Sequence, residues 1–138
     1  MRLTIDTNIV LDVLGRREPF FEHSQAVLQL VAEGKEEGSI VATSLTDIYY
    51  ILRKSLDDTT LRAALRGLIE LLDIAEVSGD ECLAALNMQM ADYEDALLAC
   101  CARRWKADYI VTRNIKDFAG SPIKAITPMD LMDSISRK

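Results

Sequence analysis

The chain has 138 residues, 49% of them apolar, which is the length of one domain and enough apolar surface for a full core. Its 22 acids against 16 bases give a net charge of -6, which argues against a protein that coats nucleic acid but not against an enzyme that acts on it. Cys82, Cys100 and Cys101 are odd in number and lack CxxC spacing, so neither a disulfide framework nor a zinc site is favoured.

Leu3-Thr4-Ile5 is short, apolar and β-branched, as a buried parallel strand requires, and Asn8 to Leu14 reads as a brief helix stopped at Gly15. Pro19 suits the first turn of a second helix, whose apolar positions are Phe20, Val27, Leu28, Leu30 and Val31. The lone His23 on it reads as a helix-surface or core-edge residue. After the turn-rich stretch from Gly34 to Gly38, a second strand is expected over Ser39 to Thr43, a helix opening at Ser44, and another helix from about Thr59 to Leu72. The leucines and isoleucines of that helix pair serve the core or a dimer face, with the core favoured for most of them. Ile74 to Val77 is a third strand candidate, Ser78 to Glu81 carries an S-x-x-E capping pattern, and Asp92 to Lys106 is the next helix. Tyr109 to Thr112 is the clearest late strand, Lys124 to Ile126 a short last one, and Thr127-Pro128 starts a final helix. Strands alternating with helices predict one α/β domain over 1–138, a three-layer α/β/α arrangement around a parallel sheet. No stretch approaches the ~20 apolar residues of a membrane span, and the N-terminus meets an acid before any signal-like run, so a soluble, cytoplasmic, unprocessed protein is expected.

In a parallel sheet the C-terminal strand ends share one edge, so acids far apart in sequence meet in one crevice there. Asp6 follows the first strand; Thr7 and Asn8 are available to cap the next helix, which leaves its carboxylate free for function. Asp47 stands three residues after Ser44, where a capping-box acid and a ligand are equally expected. Asp92 reads as a helix cap and Asp95 as a first-turn acid pointing toward the strand ends, a geometry that serves metal binding as well as capping. Asn114 and Asp117 follow the late strand and so lie on the functional edge, whereas Asp108 precedes it and is a structural control. The pairs Asp57-Asp58 and Glu36-Glu37 read as caps or surface charge.

The segments IDTNIVLDVL, SLTDIYYILRK, DYEDALLACCA and ADYIVTRNIKDF together resemble the PIN domain family over nearly the whole chain, most of all VapC-type toxins of bacterial toxin-antitoxin pairs and their single-domain relatives. The resemblance implies a metal-dependent endoribonuclease whose acids fall on Asp6, Asp47, Asp95 and the Thr112 to Asp117 segment. It also implies a homodimer and, for a toxin, an antitoxin peptide covering the acidic cleft. Asp47 stands where glutamate is usual, and Asn114 where many relatives carry aspartate, so the late carboxylate is expected from Asp117.

Phosphodiester hydrolysis needs an activated water and charge stabilisation, which Mg²⁺ or Mn²⁺ held by carboxylates supplies. Asp6, Asp92, Asp95 and Asp117 are the expected metal ligands, with Asp47 completing the catalytic set. Asn8, Thr112 and Asn114 are expected to orient ligands or phosphate, and Arg53, Lys54, Arg113 and Lys116 to meet RNA. The competing readings are a PIN-like module that binds RNA or protein without turnover, and a receiver-like signalling module. The second lacks support, because Asp6 stands alone after its strand and Asn114 or Asp117 occupies the late turn.

Overall fold

β-branched and apolar residues buried on both faces build the centre of the sheet: β1 (Arg2–Ile5) and β4 (Tyr109–Val111) pair in parallel, with Ile5 opposite Val111. A computed structural model describes residues 1–137. Outward from β1 on one side lie β2 (Glu37–Val41) and β3 (Asp73–Ala75), and beyond β4 on the other lies β5 (Ala125–Ile126). The order is β3-β2-β1-β4-β5 and every pairing is parallel.

The connections are α1 (Thr7–Leu14), α2 (Phe21–Ala32), α3 (Ala42–Leu52), α4 (Asp58–Leu71), α5 (Gly79–Leu86), α6 (Tyr93–Trp105), a 3₁₀ turn at Ile115–Phe118, and α7 (Pro128–Ser136). Leu3, Ile5, Ile40 and Val111 face one core with α1, α2, α3, α4 and α7. Val41, Ala75 and Ile110 face the other, built on α6, α5 and Phe118. The expected three-layer α/β/α arrangement is therefore the observed one. The chain runs outward from β1 and then returns to β4 on its far side, so the strand order switches between β1 and β4. In open parallel sheets that is where a crevice opens for a ligand.

Several boundaries differ from expectation. β2 begins two residues early and passes straight into α3 at Ala42, with Val41 as a cap that offers no side-chain hydrogen bond. β3 is likewise earlier and shorter, at Asp73–Ala75. Pro19 precedes the second helix, which starts at Phe21 after a turn closed by Phe20 N–H to the Arg17 carbonyl (3.0 Å). Ser78 does occupy the cap of α5, but its hydroxyl bonds the Glu81 carboxylate (2.7 Å) and caps no backbone group. Asp108 keeps its structural role, its Oδ2 accepting the Arg2 N–H at 2.7 Å on the edge opposite the crevice. Asp57 caps α4 as expected, accepting the Thr60 N–H at 2.8 Å. In the helix pair, Ile48, Leu52, Leu61 and Leu68 are core, while Ile51 and Ile69 are exposed. His23 lies exposed on α2, as expected. Among the described residues no helix is long and apolar enough to cross a membrane.

Candidate active site

Asp6 leaves β1 with its own N–H bonded to the Val111 carbonyl of β4 (3.0 Å), which fixes it at the switch point. It turns into α1 as that helix's N-cap, its Oδ1 accepting the Thr7 N–H at 2.8 Å. The expectation that Thr7 or Asn8 would cap is thereby corrected: an extended cap residue directly after a short strand puts the acid itself in the capping position. Its Oδ2 accepts the Thr112 hydroxyl at 2.8 Å. Each oxygen has one donor and a lone pair left over. Burial pushes the Asp6 carboxyl above its ordinary pKa, against the pull of the Thr112 and Thr7 hydrogen bonds.

Thr112 Oγ1 is the hub of this corner. Besides donating to Asp6 it accepts from Asn8 Nδ2 (3.3 Å) and from the Asn114 N–H (3.1 Å). Asn8 Oδ1 is buried and has no hydrogen-bond donor, a polar atom that a cation or a water would satisfy.

Around this corner the chain opens a cleft of about 370 Å³ lined by Asp6, Thr7, Asn8, Leu11, Asp47, Ile51, Glu94, Asp95, Asn114 and Asp117. These acids arrive from four places in the fold, with Glu94 and Asp95 adjacent on α6. Asp47 lies mid-helix in α3, since that helix starts at Ala42, so its expected capping duty falls away. Asp95 is in the first turn of α6 and Asp117 in the 3₁₀ turn after β4. Asp92 caps α6 by accepting the Asp95 N–H at 3.0 Å; it is exposed and stands outside the cleft lining, unlike the expectation that made it a ligand.

The gathered acids act on one another. The Asp95 carboxyl is pushed up to about 6, first by burial and then by the charges of Asp6, Asp92 and Asp117. Glu94 is pushed up to about 7, first by its hydrogen-bonding contact with the Asp47 carboxyl, then by burial and by the surrounding acids. A site that raises its own carboxylates is one where a cation would relieve repulsion, and the oxygen-only donor set, with the orphaned Asn8 amide oxygen, suits Mg²⁺ or Mn²⁺. Among the described residues no three His, Cys, Asp or Glu side chains converge tightly enough to form a ready-made cation cage.

The bases divide. Lys116 is exposed beside Asp117, and Arg53 and Lys54 are exposed beyond the end of α3, with the Arg53 guanidinium over the Tyr50 ring at 4.7 Å. Arg113, expected to meet RNA, turns the other way and forms a bidentate pair with Asp12 on α1, with Nε to Oδ2 at 2.7 Å and Nη2 to Oδ1 at 3.2 Å.

A PIN domain family model matches residues 2–116, which include Asp6, Asp47, Glu94 and Asp95 and end one residue before Asp117. The chain belongs to the PIN domain family. The solved structures similar to this PIN domain include VapBC2 from Rickettsia felis bound to a DNA fragment from their promoter (TM-score 0.72, 21% identity, covering 92% of this chain and 98% of that one). A toxin-antitoxin complex from Klebsiella pneumoniae is similar at TM-score 0.69 and 22% identity, covering 91% and 97%. Mycobacterium tuberculosis VapC20, a Sarcin-Ricin loop cleaving toxin, is similar at TM-score 0.66 and 13% identity, covering 86% and 95%. At these identities the likeness is one of fold. No curated protein matches the chain.

Two residues of this PIN domain's corner escaped the reading of the sequence. Glu94 was not singled out, although its place beside Asp95 in Tyr93-Glu94-Asp95 is a usable signal. Asp12 sits in the apolar run from Ile9 to Val13, and an acid on a helix face otherwise buried needs a partner elsewhere in the chain.

Proposed function

We propose that the protein is a Mg²⁺- or Mn²⁺-dependent endoribonuclease, the toxin of a toxin-antitoxin pair. One observation carries the reading: Asp6, Asp47, Glu94, Asp95 and Asp117, drawn from the β1–α1 junction, α3, α6 and the 3₁₀ turn, line a single cleft where the strand order switches. The family supports nuclease chemistry, and the described activity of VapC20 and the toxin-antitoxin complexes among the similar folds support the toxin reading.

Asp6, Asp95 and Asp117 would hold the cation, with Asp47 and Glu94 flanking it. When bound, the cation supplies an activated water and stabilises charge on the phosphate. The chain's own residues do the rest. Thr112 and the Thr7 N–H fix the Asp6 carboxylate from behind, leaving its remaining lone pairs toward the cleft. Asn8 and Asn114 are tied through Thr112 and place amide groups in the cleft wall beside the phosphate. Asp92 holds the start of α6, and so the direction from which Asp95 enters. Lys116, Arg53 and Lys54 meet the RNA backbone, since a net acidic protein must concentrate its positive contacts near the cut. An antitoxin peptide covering the cleft belongs to the same reading, and a basic side chain on it would complement the acids. So does a homodimer, for which Tyr50, Ile51 and Ile69 are exposed apolar side chains of the α3–α4 pair.

The test is cleavage of a mixed structured and single-stranded RNA pool with Mg²⁺, Mn²⁺ or EDTA, by wild type, by Asp6→Asn and by the Asp6→Asn, Asp95→Asn double variant. Cleavage that needs the metal and vanishes in both variants is expected. Folded, partner-free protein that binds RNA and cuts none under any metal overturns the reading in favour of a binding-only PIN module.

A further inference from the structure

Asp12 is fully buried on α1, among Ile9, Val10 and Leu11. A carboxylate there is costly unless both oxygens are satisfied, and they are: Arg113 takes each with its fork, and Ser24 Oγ of α2, itself fully buried, donates to Oδ2 at 2.9 Å. The Arg113 guanidinium also lies over the Phe20 ring at 3.9 Å, so the start of α2 closes the slot from another side.

The sequence neighbours of this pair give it a consequence for the cleft. Arg113 sits between Thr112, which bonds Asp6, and Asn114, which lines the cleft, while Asp12 is on the helix that Asp6 caps. The β4 turn and α1 are thus joined at the cleft through the Thr112 hydroxyl, which bonds Asp6 and Asn8, and outside it by Arg113 to Asp12. Bonds that converge on one hydroxyl leave the turn free to rotate about it; a separate, bidentate tie removes that freedom, and only a planar fork fixes direction as well as distance.

We propose that Asp12 and Arg113 are positioning residues, a clamp that sets the Thr112 to Asp117 turn against α1 and so holds the acidic cleft in register; for its effect on cleavage this rests on the functional reading above. Arg113 acts through the turn and touches neither cation nor RNA.

The test compares Arg113→Lys, Asp12→Asn and Leu68→Ala, the last a buried core residue of α4 outside the cleft lining. Arg113→Lys leaves Asp12 a cation and removes only the fork, so it carries the test should Asp12→Asn fail to fold. Three quantities are read on folded protein: Mn²⁺ affinity by calorimetry without RNA, hydrogen exchange at the Asn114 N–H, and kcat and KM for RNA. Expected for both clamp variants are a roughly tenfold loss of Mn²⁺ affinity, faster Asn114 exchange, and a fall in kcat larger than any change in KM, with Leu68→Ala moving none of these. Clamp variants that bind Mn²⁺ within about twofold of wild type and keep Asn114 protected would overturn the clamp, as would equal effects from Leu68→Ala. Wild type that neither binds Mn²⁺ nor cuts RNA sinks the functional reading instead, and the Asn114 exchange then decides the clamp by itself.

Discussion

The Thr112 hydroxyl donates to Asp6 Oδ2 at 2.8 Å, across 106 positions of sequence, and joins the end of β4 to the end of β1 at the place where the strand order switches. Both residues are buried, so the bond is not one that water can replace. Thr112→Val keeps the shape and removes the donor. It should cost about 1–3 kcal/mol of stability by leaving a buried carboxylate oxygen short of a partner, and should raise the Asp6 pKa further, since the Thr112 bond is the largest of the interactions that lower it. Thr112→Ser should restore most of both. Chemical denaturation at pH 7 and metal-dependent cleavage check the pair; a fully stable and active Thr112→Val would remove Thr112 from the site.

That relationship was half visible in the sequence. Short β-branched runs ending in Asp6 and Thr112 mark parallel strands, and the C-terminal ends of such strands share an edge, so the sequence alone puts the two residues on the same side of the sheet. The start of α3 was not visible, because β2 runs into it at Val41–Ala42 with no capping side chain, and Ser44, a residue type favoured at caps, invited a later start. Of the two readings of Asp47, cap or ligand, the capping one falls with that start, since Asp47 lies mid-helix. Asp12 was missed for another reason: an acid on a helix is ordinarily a surface residue, and what buries this one is Arg113, 101 positions away.

The raised acids predict how metal binding follows pH. Only the ionised carboxylates bind a cation, and Asp95 and Glu94 are pushed up to about 6 and about 7. Mn²⁺ affinity should therefore rise steeply from pH 5 to pH 8, with most of the gain between 6 and 7. Calorimetric titration of Mn²⁺ at fixed ionic strength measures it; a flat profile over that window would show that these acids do not face the cation.

The same shifts set the stability of the metal-free protein with the opposite sign. A carboxyl whose folded pKa lies above its unfolded value binds more protons folded than unfolded, so stability is full below the unfolded pKa and falls as pH rises through the folded one. Without metal, melting temperature should decline from about pH 4 to pH 7 on account of Asp6, Asp95 and Glu94. Asp95→Asn should flatten that decline and raise the metal-free melting temperature at pH 8 by roughly 3 °C, while abolishing the stabilisation that added Mn²⁺ gives wild type. Thermal melts with and without Mn²⁺ across that range decide it.

Asp92 separates capping from coordination. Its carboxylate accepts the Asp95 N–H, and it reaches the cleft only as a charge that helps to raise Asp95 and Glu94. Asparagine at a helix N-cap is as good as aspartate, whereas alanine loses the bond and costs about 1 kcal/mol. If Asp92 serves α6 alone, Asp92→Asn should keep metal-dependent cleavage within about twofold, and Asp92→Ala should lose about that stability with a modest loss of activity from a looser Asp95. A ligand behaves differently: Asn and Ala would then both lose cleavage by roughly tenfold or more, whatever their stability. Because the cap bond ends on Asp95 itself, Asp92→Asn is also the cleaner variant, changing charge without moving the residue it supports. Its Mn²⁺ affinity, set against that of Asp95→Asn under the same buffer, distinguishes a cation held by Asp6, Asp95 and Asp117 from one that also needs Asp92.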